Sequence, residues 1–215
     1  MGTTEVTIID YGVGNLLSVQ RGFEHVGASV NITADSEQIL AAQRIVLPGV
    51  GAFSNAMEAL NQLNLVQTIQ EVARQKIPLL GICLGMQLLL DESEEFGQTQ
   101  GLGLISGKAT AIPKFSVDGM PHKVPHIGWC SLRTPTHLKR WDNSLLQDID
   151  IGEAVYFVHS YMASLDNPAD CLANCSYNGN LIPAAIARNH IMGCQFHPEK
   201  SGEVGLKILR RFLSL

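Results

Sequence analysis

The sequence has little excess charge and no run of basic residues. Its 15 Lys and Arg stand against 20 Asp and Glu, which gives a formal net charge of −5 over 215 residues. Nucleic acids and anionic membranes attract proteins through basic patches, so neither is an expected partner. Apolar runs stay below the roughly 18 residues that suggest a membrane-spanning helix, and residues 1–10 lack the cationic region of a signal peptide. We therefore expect a soluble, cytoplasmic protein.

Cysteines are few and odd in number, which argues against a disulfide framework. They are Cys83, Cys130, Cys171, Cys175 and Cys194. Such a set in a mid-sized chain is typical of reduced thiols. Cys171 and Cys175 would share one face of a strand, but no paired histidine or Cys-x-x-Cys accompanies them.

Gly12 and Gly14 lack the third glycine of a dinucleotide-binding loop. We expect neither a metal nor a cofactor.

Short aliphatic runs alternate with amphipathic segments along the first part of the chain. The predicted strands are residues 6–9, 29–32 and 44–47, and the predicted helices are residues 16–26, 36–41, 52–60 and 65–75. Such alternation is typical of parallel βαβ units in an α/β fold. Between residues 97 and 133 the helical periodicity gives way to glycines, prolines and short apolar runs, which indicates an antiparallel or irregular insertion. Since no linker or internal repeat interrupts the chain, we expect a single domain over residues 1–215.

One cysteine lies between two apolar runs. Residues 78–82 predict a buried strand and residues 84–90 a helix, so Cys83 is expected at their junction, framed by Gly81 and Gly85. This is the Gly-x-nucleophile-x-Gly pattern of a nucleophile elbow, with Cys in place of Ser. A helix N-terminus favours a thiolate, and the N–H of Leu84 is placed to donate to an oxyanion. The alternative is that Cys83 is an ordinary buried small hydrophobe.

Two further loops are expected at the same edge of the sheet. Residues 10–15 follow the first predicted strand and residues 48–53 follow the third, and in parallel α/β sheets sites form at the carboxyl ends of strands. The amides of Val50 and Gly51 are therefore candidates for a second oxyanion donor. The same proline and glycines would equally serve a simple tight turn.

Two of the seven histidines follow predicted strands, and one of them has a carboxylate two residues on. His159 is followed by Ser-Tyr, whereas His197 is followed by Pro-Glu at the end of a strand predicted over residues 191–196. Residues two apart in an extended segment point to one face, so Glu199 can orient His197. His197 can in turn orient the thiol of Cys83, which is the logic of a catalytic triad. The other histidines are expected to be ordinary surface or core residues.

Six short motifs occupy these segments and the insertion. They are G-I-C-L-G-M-Q at 81–87, P-G-V-G-A-F at 48–53, Q-F-H-P-E-K-S at 195–201, D-Y-G-V-G-N at 10–15, K-V-P-H-I-G-W at 123–129 and Y-F-V-H-S-Y at 156–161. The first three resemble the class I glutamine amidotransferases, and the full set resembles the branch that supplies the glutaminase subunit of imidazole glycerol phosphate synthase. The resemblance covers about residues 8–212. It implies a three-layer, doubly wound, mostly parallel sheet with an antiparallel insertion.

The resemblance also implies roles for individual residues. Cys83 would attack the side-chain amide carbon of glutamine, with His197 as general base and acid and Glu199 as its orienter. The implied oxyanion hole is Val50, Gly51 and Leu84, and the implied glutamine-binding residues are Gly49, Gln87, Glu95 and Ser160. Glu95 would suit the substrate ammonium group. One departure is visible, because Cys130 stands where the family pattern usually has Asn after Gly-Trp.

A partner is implied as well. The related glutaminases pass ammonia directly to a (β/α)₈-barrel cyclase in a heterodimer, and the cyclase joins it to a phosphorylated ribulosyl nucleotide precursor in histidine biosynthesis. Asn15, Trp129 and Lys200 lie beside the predicted site and are candidates for the interface and the ammonia gate.

Two alternatives remain open from the sequence. A non-catalytic relative could keep the fold for a regulatory or scaffolding role, although an intact triad argues against it. A stand-alone cysteine hydrolase acting on γ-glutamyl peptides would share the broad pattern of nucleophile, base and orienter.

Overall fold

The computed structural model describes residues 4–215. Its strands are β1 (Glu5–Ile9), β2 (Ser29–Thr33), β3 (Ile45–Gly49), β4 (Leu79–Cys83), β5 (Leu90–Ser93), β6 (Thr99–Gln100), β7 (Ile105–Ala111), β8 (His126–Ser131), β9 (Ala154–His159), β10 (Tyr161–Leu165), β11 (Cys171–Tyr177), β12 (Asn180–Arg188) and β13 (Ile191–Cys194). Its α-helices are α1 (Leu16–His25), α2 (Ser36–Leu40), α3 (Phe53–Gln62), α4 (Leu65–Arg74), α5 (Leu84–Leu88) and α6 (Gly202–Leu213). Single 3₁₀ turns lie at Pro168–Asp170 and Pro198–Lys200.

The central sheet has seven strands in the order β11-β12-β13-β4-β3-β1-β2. The strands from β13 to β2 run parallel, whereas β11 and β12 form an antiparallel extension on one side. Parallel neighbours need crossover connections, and here helices supply most of them. The mostly parallel α/β sheet expected from the alternation of strands and helices is confirmed.

Helices cover both faces of this sheet. Alternate side chains of β3 belong to different cores, with Val46 in one and Ile45 and Leu47 in the other. The first core also holds residues of α1 and α6, and the second holds residues of α3 and α4. Strands buried on both faces carry continuous aliphatic runs, which is why the strands were visible in the sequence. The three-layer arrangement is confirmed.

The insertion is larger and more mixed than the sequence predicted. Its strand β7 pairs with β10, and β8 pairs with β9, so its partners come from residues beyond the expected limit at 133. These pairs are antiparallel, but β5 and β7 run parallel. The helix expected over residues 84–90 ends at Leu88, and β5 begins at Leu90. Both lie in a fully buried apolar run, where periodicity does not mark the end of a helix.

The parallel strands bring their carboxyl ends to one edge, as expected. The hydroxyl of Tyr11, just after β1, donates to the carbonyl of Pro48 in β3 at 2.7 Å, which ties two of the loops together. Every helix within residues 4–215 falls short of the length and hydrophobicity that crossing a membrane requires.

Candidate active site

Cys83 is the last residue of β4 and directly precedes α5. Its backbone has φ 56° and ψ −113°, a conformation that costs a non-glycine residue about 1–3 kcal/mol. A Cβ on Gly85 would overlap the carbonyl of Leu47, and one on Gly81 would lie 2.6 Å from the carbonyl oxygen of Gly85. The two glycines therefore permit the sharp turn that presents the thiol.

A cavity of about 410 Å³ opens in front of Cys83. Among the residues predicted for the site, those that line it are Val50, Gly51, Cys83, Leu84, Gln87, Glu95, Ser160 and His197. Gly49 does not line the cavity but pairs with Cys83 across β3 and β4. Glu199 lies behind His197, out of the cavity wall. The structure thus gathers residues from five separate segments around one thiol.

His197 connects the thiol to a carboxylate. Nδ1 of its ring lies 2.7 Å from Oε1 of Glu199, and the ring interacts with Cys83, whose Sγ donates to the carbonyl of Val158 at 3.9 Å. Because Glu199 occupies Nδ1, Nε2 is the atom left to face the sulfur. Burial alone would lower the pKa of His197, but the hydrogen bonds and charges of Cys83 and Glu199 outweigh it and raise the pKa to about 9.

The path that brings His197 and Glu199 together differs from the expected one. The strand β13 ends at Cys194, earlier than predicted, and Glu199 lies in the 3₁₀ turn Pro198–Lys200. His197 itself is extended, with φ −98° and ψ 97°. A turn, and not strand alternation, therefore places the carboxylate beside the ring.

Glu199 is buried against the first helix. Its side chain is 1% exposed, and Oε2 has no hydrogen-bond partner in the part of the chain that the structure describes. A Cβ on Gly22 of α1 would lie 3.3 Å from Cβ of Glu199 and 2.9 Å from Cδ1 of Leu209. The carboxylate of Glu199 therefore bonds to His197 through Oε1. On its other side it packs against α1 at Gly22, which has no side chain.

The residues predicted for the oxyanion hole border the cavity. Val50 is 41% exposed and Gly51 has φ +88°, while Leu84 is the first residue of α5 and almost fully buried. The first backbone N–H groups of a helix have no partner within the helix, so the amide of Leu84 is available to a ligand. Burial and the charge of Cys83 raise the pKa of Tyr11, which keeps its hydroxyl protonated as the donor beneath this loop.

Glu95 does more than the resemblance implied. Its Oε2 accepts a hydrogen bond of 2.7 Å from the backbone N–H of Phe53, the first residue of α3. A carboxylate at a helix N-terminus accepts a hydrogen bond from one of the helix's unpaired N–H groups and interacts favourably with the positive end of the helix dipole. Glu95 therefore fixes the far end of the loop that carries Val50 and Gly51, in addition to lining the cavity.

Gln195 is a site residue that the sequence did not reveal. It is fully buried, and its Nε2 donates to Sγ of Cys83 at 3.9 Å. Its Oε1 accepts from Nε2 of Gln87 at 2.9 Å, and the same nitrogen donates to the carbonyl of Tyr161 at 2.9 Å. Both N–H groups of Gln87 are thus used internally, and only its carbonyl oxygen is left for a ligand. The signal available in the sequence was a polar amide side chain within the Q-F-H-P-E-K-S motif, two positions before His197.

His159 also borders the cavity, as the neutral member of a histidine pair. Its Nδ1 lies 2.9 Å from the carbonyl of Tyr161 and its Nε2 lies 3.1 Å from Nδ1 of His126. The carbonyl can only accept, so His159 donates from Nδ1 and accepts at Nε2, and His126 donates to it. Burial lowers the pKa of both rings to about 4, although the Tyr161 carbonyl opposes this for His159. His159 is a hydrogen-bonding group and not a competing base.

The candidates for the interface do not line the cavity. Trp129 on β8 is 59% exposed and contacts Tyr156 edge-on, and the carbonyl of Tyr156 accepts from the backbone N–H of His197. Lys200 is exposed at the end of the 3₁₀ turn, and Asn15 is half-buried before α1. Trp129 is therefore one strand away from the triad. Within residues 4–215, no group of three or more His, Cys, Asp or Glu could hold a metal ion.

Comparison with known proteins decides the family. The family model described as "Glutamine amidotransferase class-I" matches residues 7–214. The chain belongs to the class I glutamine amidotransferases. Membership in this family confirms the resemblance carried by the motifs around Cys83 and His197.

Relatives of this amidotransferase match over their whole length. It is 50% identical over 212 residues to "Imidazole glycerol phosphate synthase subunit HisH 1" of Legionella pneumophila (strain Lens), covering 99% of this chain and 100% of that protein. It is 45% identical over 210 residues to the synthase subunit HisH of Geobacillus sp. (strain WCH70), covering 98% and 96%.

Solved structures share the fold of this amidotransferase at low identity. A crystal structure of a glutamine amidotransferase superposes with a TM-score of 0.72 at 12% identity, covering 98% of this chain and 99% of that chain. A chain from the structure of PurLQS from Thermotoga maritima gives 0.71 at 16%, covering 99% of each. The predicted fold class is confirmed.

Proposed function

We propose that this amidotransferase is the glutaminase subunit of imidazole glycerol phosphate synthase and hydrolyses L-glutamine to glutamate and ammonia. The observation that carries the proposal is the thiol of Cys83 beside a hydrogen-bonded His197–Glu199 pair, with Cys83 and His197 lining a cavity that fits a small substrate. The 42–50% identity to synthase subunits named HisH supports the same function.

The first half of the reaction forms a thioester. His197 takes the proton of the Cys83 thiol, and the thiolate attacks the side-chain amide carbon of glutamine. The amide N–H of Leu84 and one from the Val50–Gly51 segment donate to the oxygen that becomes negative. Each such donor is worth roughly a hundred- to a thousandfold in rate. The imidazolium then gives its proton to the leaving nitrogen, and ammonia departs.

The second half hydrolyses the thioester. Once sulfur is acylated, it no longer carries the charge that helps to raise the pKa of His197, so the ring gives up its proton more readily and is neutral when water arrives. Neutral His197 takes a proton from water, the hydroxide attacks the thioester carbonyl, and glutamate leaves as the thiolate is restored. Glu199 keeps the ring in the orientation that both halves need.

Positioning of glutamine falls to the walls of the cavity. The carbonyl oxygen of Gln87 is free to accept a hydrogen bond because both its N–H groups are engaged. Glu95 supplies a negative charge for the substrate ammonium group, and Ser160 lines the same cavity. Gly49 acts from beneath, since its lack of a side chain lets β3 approach α5.

Ammonia is proposed to pass to a (β/α)₈-barrel cyclase bound in a heterodimer. The relatives are named as subunits of a synthase, and the family match fills residues 7–214. Asn15, Trp129 and Lys200 are the proposed contacts and gate: Lys200 follows Glu199 in the 3₁₀ turn, Trp129 contacts Tyr156, whose carbonyl bonds to His197, and Asn15 directly precedes α1. We also propose that residues 1–215 form a single domain and that the enzyme works in the cytoplasm without a metal or cofactor.

A coupled assay tests this function. Glutamate release from L-glutamine is measured with the chain alone, with the cyclase, and with the cyclase plus its nucleotide substrate. We expect the rate to rise with the cyclase, and Cys83→Ala to reduce it by about ten thousandfold. Cys171→Ser, which changes a thiol away from the cavity, is the matched control.

Two results would contradict the proposal. Activity of Cys83→Ala equal to wild type would indicate a non-catalytic relative. Rapid hydrolysis of γ-glutamyl peptides by the chain alone, unchanged by the cyclase, would indicate a stand-alone hydrolase.

A further inference from the structure

Two cysteines outside the catalytic cavity lie in direct contact. Cys130 is on β8 and Cys175 is on β11; Sγ of Cys130 donates to the carbonyl of Ser176, the residue after Cys175, at 3.3 Å, and each thiol shifts the pKa of the other. The two chain segments are held side by side, because Arg133 and Asn174 exchange backbone hydrogen bonds of 2.8 and 2.9 Å. Both thiols are free. Two strands that belong to different sheets thus meet at a pair of reduced sulfurs.

The two thiols differ in access to solvent. Cys130 is half-buried and borders a surface cavity of about 230 Å³, which Arg133 also lines, whereas Cys175 is fully buried. The interaction with Cys175 lowers the pKa of Cys130 although burial opposes this, and backbone hydrogen bonds and the charge of Arg133 contribute less. The same interaction and burial raise the pKa of Cys175. An accessible thiol with a lowered pKa therefore lies beside a protected thiol.

The other cysteines lack this arrangement. Cys194 is fully buried, and Cys171 is buried with its thiol donating to Oδ1 of Asn174 at 3.2 Å. Reactive cysteines are those that are partly exposed and electropositive, whereas buried structural cysteines are inert. Outside the catalytic cavity, Cys130 is therefore the thiol that a small oxidant would meet first.

We propose that Cys130 and Cys175 form a modification site for hydroperoxides, in which Cys130 is oxidised first and Cys175 then closes a disulfide. The pair is distinct from the glutaminase triad, and the proposal does not depend on the glutaminase function. Cys130 is also the position at which this sequence departs from the family pattern.

The chemistry balances with one peroxide per disulfide. The Cys130 thiolate attacks one oxygen of hydrogen peroxide, the O–O bond breaks, and the released hydroxide takes a proton to become water, which leaves a sulfenic acid. The Cys175 sulfur then attacks the Cys130 sulfur, the S–O bond breaks, and a second water leaves with the Cys175 proton. Two thiols are oxidised by two electrons, and the peroxide is reduced to two waters.

The disulfide would fix the strand that carries the proposed gate. Trp129 directly precedes Cys130 on β8, and β8 pairs with β9 in a two-stranded sheet of its own. A covalent link to β11 would join this small sheet to the large one. Oxidation would therefore restrict movement of the strand next to the triad, at a point away from the thiol of Cys83.

Peptide mapping under non-reducing conditions tests the site. The full-length protein is freed of reductant, treated with hydrogen peroxide, alkylated with iodoacetamide and digested with trypsin, which releases residues 124–133 and 141–188. We expect these two peptides to be linked, with a mass two hydrogens below their sum. Because residues 141–188 contain Cys171 as well, the link should persist in Cys171→Ser and be absent in Cys175→Ser.

A second measurement avoids buried substitutions that might disturb folding. In wild type, the rate at which iodoacetamide labels Cys130 should rise with pH around a midpoint below the value of roughly 8.5 of an ordinary thiol. Cys130→Ser, at a half-buried position, should abolish the link. The proposal is overturned if Cys130 and Cys175 both carry the alkyl group after peroxide has oxidised Cys83, or if the link disappears in Cys171→Ser.

Discussion

Nε2 of Gln195 donates to Sγ of Cys83 across 3.9 Å, although the two residues are 112 positions apart in the chain. Its other end accepts from Gln87, so the orientation of the amide is fixed: the nitrogen faces the sulfur and the oxygen faces away. Charge-assisted hydrogen bonds of this kind stabilise an anion more than a neutral group. Gln195 therefore places a hydrogen-bond donor at the sulfur of the proposed nucleophile.

Replacing this donor should slow the chemical step. Gln195→Met keeps the approximate shape but removes the N–H, and we expect kcat for glutamine hydrolysis to fall about tenfold with little change in KM, because one charge-assisted hydrogen bond is lost. Steady-state kinetics of the complex with its cyclase measure this. The control is Gln62→Ala, whose amide bonds only to Glu58 on the exposed face of α3. An unchanged kcat, or a loss confined to KM, would contradict the role.

The ionisation of His197 should respond to the thiol. Its pKa of about 9 depends on the hydrogen bond and charge of Cys83 as well as on Glu199. In Cys83→Ala these contributions vanish while burial remains, so the imidazole should titrate at a lower pH than in wild type. NMR titration of labelled histidine follows the change, with Cys171→Ala as a control that leaves the midpoint in place. Equal midpoints in wild type and Cys83→Ala would show that the sulfur does not contact the ring.

Two substitutions at Glu95 should separate its two contacts. Glu95→Gln keeps an oxygen for the N–H of Phe53 but removes the charge, so KM for glutamine should rise about tenfold or more while stability changes little. Glu95→Ala should raise KM similarly and also lower the free energy of unfolding by about 1 kcal/mol, because the helix cap is lost. Glutaminase kinetics and urea unfolding measure the two effects. Equal stability of both variants would mean that Glu95 does not cap α3.

The neutral histidine pair should make the fold sensitive to acid. His126 and His159 have pKa values of about 4 in the folded protein, while histidine in an unfolded chain titrates near 6.5. Below about pH 6.5 these two histidines bind protons in the unfolded state but not in the folded state. The free energy of unfolding, which is at its full value above that pH, therefore decreases as the pH falls toward 4. The raised pKa of His197 acts in the other direction, since its stabilisation is complete below pH 6.5 and is lost as the pH rises through about 9.

Urea unfolding between pH 7 and pH 4.5 measures the acid effect. His126→Asn keeps a donor toward Nε2 of His159 but removes one titrating ring, so the fall in unfolding free energy should be smaller than in wild type. His25→Asn changes a surface histidine and should leave the pH dependence as it is. The same slope in wild type and His126→Asn would show that His126 is not held neutral.

The sequence predicted those parts of the fold and site that local physics determines. The aliphatic runs of β1 and β3 and the glycines around Cys83 each act through near neighbours, and their consequences were visible without coordinates. The end of α5 could not be predicted. Every residue from Leu84 to Leu90 is buried, and a buried helix and a buried strand both consist mainly of apolar residues.

Contacts between distant segments were beyond the sequence. The Gln87–Gln195 hydrogen bond and the capping of Phe53 by Glu95 join residues that no periodicity relates. The contact between Cys130 and Cys175 likewise depends on how the insertion docks against the large sheet. The residue types showed that these side chains could form hydrogen bonds or react. Only the packing of the strands showed which side chains contact each other.

Gly22 has no side chain, and this lets helix α1 pack closely against Glu199 of the proposed triad. Helix α1 contributes no group to the cavity, yet its distance from the carboxylate is set by the smallest possible side chain. A methyl group at position 22 would displace the end of the Leu209 side chain and press on Cβ of Glu199, the residue that orients His197. Position 22 can therefore influence the triad from a helix that does not line the cavity.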